Sequence, residues 1–212
     1  MIESLIQFGY FAVALLIVMT IHEFSHAFVA YYLGDPTAKI RGRLSLNPIR
    51  HLDFLGTLVF LVTQRVGWGK PVPVNYSNFK HPVRDGGLTA LAGPMSNFIL
   101  AFVVALPLKY LGNFMPEFIS LLLWMVFHTS IFLGIFNLFP FPPLDGSKII
   151  GLFIPHRWMM KYEGYLVNGA KYFVVIILVD VFILPGLIGF SIFGSVMQFL
   201  HQWVSLALLL GT

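Results

Sequence analysis

Apolar residues come in long, nearly unbroken runs separated by polar, basic stretches, and the lengths of the runs predict the elements. The first, from Tyr10 to Leu33, reads YFAVALLIVMTIHEFSHAFVAYYL. As a helix rising 1.5 Å per residue it is long enough to cross a hydrocarbon layer of about 30 Å. The pattern predicts a first helix near 7–33, a second near 88–110, a third near 117–139 and a fourth near 171–186. The tail 187–211 is also apolar, but Gly189 and Gly194 interrupt it just after Pro185 and Gly186. A span, a re-entrant segment and an interfacial helix all fit that tail. The fold class expected is an all-α polytopic membrane protein with about four transmembrane helices and an apolar C-terminal segment. Residues 1–212 are expected to form a single membrane-embedded domain.

Composition agrees. The chain is 58% hydrophobic and 10% charged, with a mean hydropathy of +0.83, whereas a soluble domain lies near half apolar and a quarter charged. The first run has no basic region before it and no small-residue cleavage site, so no cleavable signal peptide is expected. The lack of cysteine excludes disulfides, thiolate nucleophiles and thiolate metal sites. Of the 13 Lys and Arg, all but Lys109 fall between helices one and two or between three and the start of four. The positive-inside rule then places both basic segments in the cytoplasm and the N-terminus outside. The net charge of +4 is thereby explained by topology, with some contact to anionic lipid, and a nucleic-acid partner is not expected.

Glu23 is the only acid between Tyr10 and Leu33. A charge at mid-membrane costs roughly 2.5–3.5 kcal/mol on an insertion scale, which makes it a candidate functional residue. It lies in His22-Glu23-Phe24-Ser25-His26. On a helix His22 and His26 stand one turn apart on one face. They can share a metal ion there, with Glu23 beside it to act on an activated water. His26 lies seven residues from Leu33, about 10 Å along a helix. The site is thus expected below the cytoplasmic surface, short of the midplane, with water reaching it from the cytoplasm.

Catalytic zinc usually takes three protein ligands. Among the nine acids, Asp145 is the strongest third candidate. It ends the segment FNLFPFPPLDG, at the cytoplasmic end of the third helix and near the depth of the histidines. Pro140, Pro142 and Pro143 forbid a regular helix there, and Gly146 lets the chain turn. Irregular backbone at membrane depth is tolerated where it lines a cavity or is buried in protein. His51, His81, His128, His156 and His201 are weaker candidates. His51 with Asp53 reads as a loop-ordering pair, and His128 as a satisfied bundle histidine.

With those motifs in hand the chain resembles the site-2 proteases, membrane-embedded zinc metalloproteases, and within them the compact prokaryotic branch. The resemblance also covers GDPTAKIRGRLSLNPIRHLDFLGT at 34–57, WGKPVPVN at 68–75 and AGPMSNFILA at 92–101. It implies one zinc ion on His22, His26 and Asp145, with Glu23 as general base. It puts Asn137, eight residues before Asp145, and Asn97 in the catalytic site. It makes Trp68, Gly69, Lys70, Pro71, Val72, Pro73, Val74 and Asn75 a re-entrant β-like segment in the first cytoplasmic loop that presents substrate. The compact branch more often has Ala at position 69 and Pro at position 76, departures that bear on substrate preference. The length leaves no room for a PDZ or CBS domain.

The function expected is an intramembrane zinc-dependent endopeptidase that cuts transmembrane segments of membrane proteins by attack of an activated water. It would be integral to a prokaryotic plasma membrane, with the active site towards the cytoplasm and the lipid bilayer and a transmembrane substrate as its partners. In that chemistry Asn137 or Asn97 donates to the developing oxyanion, and an edge-presenting segment over 54–75 is expected to pair with the locally unwound substrate as an added strand. The alternative is a catalytically silent metal-binding membrane protein that binds transmembrane helices. A metal transporter fits less well, because its ligands would follow a path through the midplane and would not need Glu23. The ligand set suits zinc best, although two histidines and an aspartate also accept other divalent ions.

Overall fold

The computed structural model describes residues 2–63 and 67–209. Arg65, part of the basic asymmetry above, and 210–211, the end of the expected C-terminal segment, lie outside the described residues. The elements are α1 (Ile2–Tyr32), α2 (Thr37–Ile40), α3 (Phe54–Thr63), α4 (Pro82–Leu111), α5 (Glu117–Leu138), α6 (Asp145–Ile149), α7 (Met159–Leu178), α8 (Leu184–Ile188) and α9 (Ile192–Leu208). Among the described residues four stretches are long and apolar enough to cross a membrane: Glu3–Tyr32, Pro82–Phe114, Glu117–Leu138 and Met159–Ile188.

Helix ends follow local chemistry. Gly34, with φ +109°, terminates α1 in a conformation that L side chains rarely adopt. Pro82 opens α4 at a position where its missing N–H is not needed. Phe139, just before Pro140, is extended and ends α5. The fourth span begins twelve residues earlier than its hydropathy suggests, at Met159, because a more polar helical stretch over 159–170 runs without a break into the apolar part of α7. A wide turn over Val179–Ile183 joins α7 to α8. Asp180, buried there, accepts from the backbone N–H of Ile192 and Phe193 and so caps α9. At 17 residues α9 falls short of the roughly 20 a straight span needs.

The centre of the molecule is the packing of α1, α4 and α5 against one another. Small residues on these helices, among them Ala14, Ala27, Ala101 and Ala105, are buried and let the backbones approach. Val18, Phe127 and Ile131 fill the core at the end of α1 before the histidine motif. His128 on α5 faces His201 on α9 at 3.2 Å, which docks α9 to this core.

The first loop departs from expectation in two ways. Residues 54–63 form a helix, α3, where an edge-presenting extended segment was expected to extend as far back as residue 54. The β-like character of 68–75 is reduced to one antiparallel bridge, Leu52 to Gly69; no strand occurs among the described residues. Pro71 and Pro73 lack the donors with which a ladder would continue.

Candidate metal centre and active-site cavity

His22 and His26, on successive turns of α1, point their rings to the side where α6 begins, and Asp145 is the first residue of α6. The result is a triangle: His22 Nε2 to His26 Nε2 is 3.0 Å, and Asp145 Oδ2 lies 3.2 Å and 3.1 Å from them. All three side chains are buried. Donors of a tetrahedral site with bonds of about 2.0–2.1 Å stand roughly 3.3 Å apart, so the triangle has the size that zinc requires. The outer ring nitrogens are occupied. His26 Nδ1–H donates to Thr89 O at 2.7 Å, and His22 Nδ1 faces the side-chain amide of Asn97 at 3.1 Å. With Asn97 Oδ1 turned to the ring, it accepts from His22 Nδ1–H, and a buried oxygen otherwise without a partner is satisfied. Both Nε2 lone pairs then face inward, beside a carboxylate oxygen. Three acceptors at 3 Å repel one another unless a cation lies between them, and the donor set therefore fits a zinc ion.

The approach of α4 makes this possible. A Cβ on Gly93 would stand 2.4 Å from His26 Nε2 and 2.6 Å from His22 Cε1. Only a residue without a side chain fits there. Gly146 meets a comparable constraint, since a Cβ would be 2.2 Å from Leu138 O. The close return of the chain onto the end of α5, rather than a special φ, is what demands glycine after Asp145.

Glu23 borders a cavity of about 180 Å³ together with His22, His26 and Asp145. Its Oε2 accepts from Val72 N–H at 3.1 Å. Asn137 lines the same cavity with its Nδ2 turned back to Leu133 O at 3.0 Å. Asn97 is fully buried behind His22, away from that cavity. The expected site residues thus divide into a group around the triangle and a group that faces it. Within 68–75, Pro71, Val72 and Val74 line the polar cavity, Trp68 and Gly69 line an adjoining apolar groove, and Lys70, Pro73 and Asn75 line neither.

Two buried ionisable residues hold that facing segment. Arg43 donates from Nη1 to Pro71 O at 3.2 Å and from Nη2 to Lys70 O, with His51 Nδ1 at 3.4 Å from Nη2. His51 Nε2–H in turn donates to Ser45 O at 2.7 Å, and Lys70 N–H returns to His51 O at 2.8 Å. Burial pushes the Arg43 guanidinium down from its ordinary range, and the nearby Glu23 charge opposes that. At the other end Asp35 accepts from Asn75 N–H and from Asn78 Nδ2, both at 2.7 Å. Burial alone would raise the Asp35 carboxyl; hydrogen bonds from Thr37, Asn78 and Asn75 outweigh it and hold the carboxyl below the usual carboxylate range.

Sequence reasoning counted Arg43 only as topology and Asp35 only as a loop acid. His51 is indeed loop-ordering, but its partner is Arg43, while Asp53 accepts from Gly56 N–H at the start of α3. Lys148, 3.7 Å from Asp145 Oδ1 and bordering the cavity, was also missed, although its spacing three residues after Asp145 signals it.

Comparison with known proteins points one way. The sequence profile described as Peptidase family M50 matches residues 109–179. YwhC of Bacillus subtilis (strain 168), assigned by name to the zinc metalloproteases, is 42% identical over 170 residues, covering 74% of this chain and 75% of its own. Rip2 of Mycobacterium tuberculosis (strain H37Rv), likewise assigned, is 30% identical over 189 residues, covering 85% of this chain and 69% of its own. MJ0611 of Methanocaldococcus jannaschii, with the same assignment, is 40% identical over 78 residues, covering 35% and 38%. No solved structure matches the chain.

Proposed function

The chain belongs to peptidase family M50, the site-2 proteases, and is a zinc metallopeptidase; from that premise we propose that it cuts peptide bonds of transmembrane segments inside the membrane that holds it. The observation that carries the reading is the depth of the chemistry. Glu23 and the histidines belong to a helix long enough to span, with Glu23 nine residues before its end at Tyr32, about 14 Å along the axis. A metallopeptidase whose base lies that far inside a spanning helix acts on a peptide that is itself within the bilayer.

His22, His26 and Asp145 are the residues that hold zinc, and Asn97 fixes the His22 ring rather than touching substrate. Bound there, zinc supplies Lewis acidity, lowering the pKa of a water towards about 7 and polarising a carbonyl oxygen. Glu23 takes a proton from the attacking water as the new C–O bond forms, then delivers it to the leaving nitrogen as the C–N bond breaks. Val72 N–H, which holds Glu23 Oε2, orients the carboxylate. Asn137 Nδ2 turns from Leu133 O to donate to the developing oxyanion, a contribution on the order of 10²–10³ in rate. Pro71, Val72 and Val74 present the unwound substrate backbone.

Residues 1–212 act as one protease domain in a prokaryotic plasma membrane, with the N-terminus outside and the site open to the cytoplasm, as the asymmetry of Lys and Arg supports. Purified wild type in liposomes is expected to cut a transmembrane peptide, while Glu23→Gln keeps its zinc and loses at least 10²-fold in rate. Equal zinc in both with no cleavage by either would favour the silent metal-binding scaffold.

A further inference from the structure

Two cavities meet at Glu23. The polar one contains the metal triangle; the other is an apolar groove of about 380 Å³, and His22, Glu23 and Asn137 border both. One wall of the groove is a single face of α1: Ala12, Leu15, Leu16 and Met19, one turn after another, lead to His22 and Glu23. That face runs about 16 Å along the helix. A second wall is Leu133 and Phe136 on α5, in helical register with Asn137. Gly56, Thr57 and Phe60 of α3 close the third side.

We propose that this groove is the subsite for a bulky apolar side chain of the substrate next to the scissile bond, with Met19, Leu133 and Phe136 setting the size it accepts. The inference rests on the protease reading above and narrows its substrate class. Its occupant follows from its two chemistries. A polar substrate side chain would lose its hydrogen bonds against these walls. A lipid chain would bring hydrocarbon against the carboxylate, imidazole and amide at the deep end. A peptide satisfies both ends, offering an apolar side chain to the walls and its backbone to Glu23 and Asn137. Met19 is the last residue of the α1 face before His22 and Glu23, where the groove meets the polar cavity. A Cβ on Gly69 would lie 2.7 Å from its sulfur, so the thioether rests on the bare Gly69 backbone. A flexible methionine there lets the wall adjust to residues of different shape.

The test is a panel of transmembrane peptides, identical except for Gly, Ala, Leu, Phe or Glu on either side of the scissile bond, cut in liposomes with zinc content measured. Wild type is expected to favour Leu or Phe over Gly by tenfold or more in kcat/KM at one of the two positions and to reject Glu there. Leu133→Trp fills the groove and should invert that order at the same position, while Leu133→Ala widens it and should admit Trp. An order that is the same in wild type, Leu133→Trp and Leu133→Ala would overturn the subsite and leave the groove a lipid crevice. Failure of wild type to cut any peptide, indistinguishably from Glu23→Gln, would instead overturn the protease reading and the subsite with it.

Discussion

The two sides of the active-site cavity are built by opposite means. On one side His22, His26 and Asp145 sit on helices, and their orientation comes from Thr89 O, the Asn97 amide and the missing side chain at Gly93. On the other, 67–75 has one β-bridge and is held by Arg43 at Lys70 and Pro71 and by Asp35 at Asn75, through backbone groups no neighbouring strand satisfies. The first side tolerates no displacement, because ligand atoms 3 Å apart leave room for a zinc ion only in one geometry. On the proposed reading the second must admit a peptide, and the tethers at 70–71 and 75 leave 72–74 between them to meet it, with Val72 N–H held by Glu23. On that reading chemistry is held by packing and recognition by tethers.

The strongest way to break this comparison is to damage the packed side without touching a ligand. Gly93→Ala places a methyl 2.4 Å from His26 Nε2, against a rigid ring on a packed helix. Zinc content should fall below a tenth of wild type and cleavage by more than 10³-fold, since the ligands lose their common centre. Gly164→Ala is the control: nothing lies within 4 Å of that position, and its zinc content should match wild type. Normal zinc in Gly93→Ala, by elemental analysis, would contradict the account of why α4 approaches so closely.

The tethered side should behave differently. Arg43→Lys keeps the charge but loses the planar fork that bonds two carbonyls at once. Zinc is expected to stay at the wild-type level, while kcat/KM falls about 10–100-fold, mostly through a higher KM, because the substrate meets a looser segment. Arg43→Met, which also removes the charge near Glu23, should lose more. If zinc falls in parallel with activity in both variants, Arg43 supports the whole fold and the division between packed and tethered sides is wrong.

The same division explains what was legible in the sequence. His22, Glu23 and His26 are readable because helical periodicity alone sets their relative positions. Asp145 was reachable because three prolines and a glycine mark an irregular segment at membrane depth. The four spanning helices followed from hydropathy, though the polar start of α7 hid twelve residues of the fourth. What stayed hidden is tertiary. No local pattern says that Arg43 turns inward to Lys70 and Pro71, or that the apolar stretch 54–63, shorter than a span, coils rather than extends beside α1. Asn97 was found by resemblance, but its place behind His22 depends on how α4 packs on α1.

The smallest effect expected is at the far tether. Asp35 gathers donors from Thr37, Asn75 and Asn78. Asp35→Asn keeps the shape but replaces one acceptor oxygen with an amide that faces those donors. At about 1–2 kcal/mol for the lost hydrogen bonds, thermal unfolding should come a few degrees lower at pH 7. The sign of the pH dependence follows from a folded-state carboxyl held below its usual range. Its stabilisation is complete above the unfolded value of about 3.9 and disappears as pH falls through the lower folded value. The gap between wild type and Asp35→Asn should therefore be widest near neutrality and close in acid, with KM rising only severalfold at pH 7 and zinc unaffected. A gap of constant width from pH 7 to pH 3 would mean that Asp35 acts by shape alone, and that the far end of the segment is packed in place like the metal side it faces.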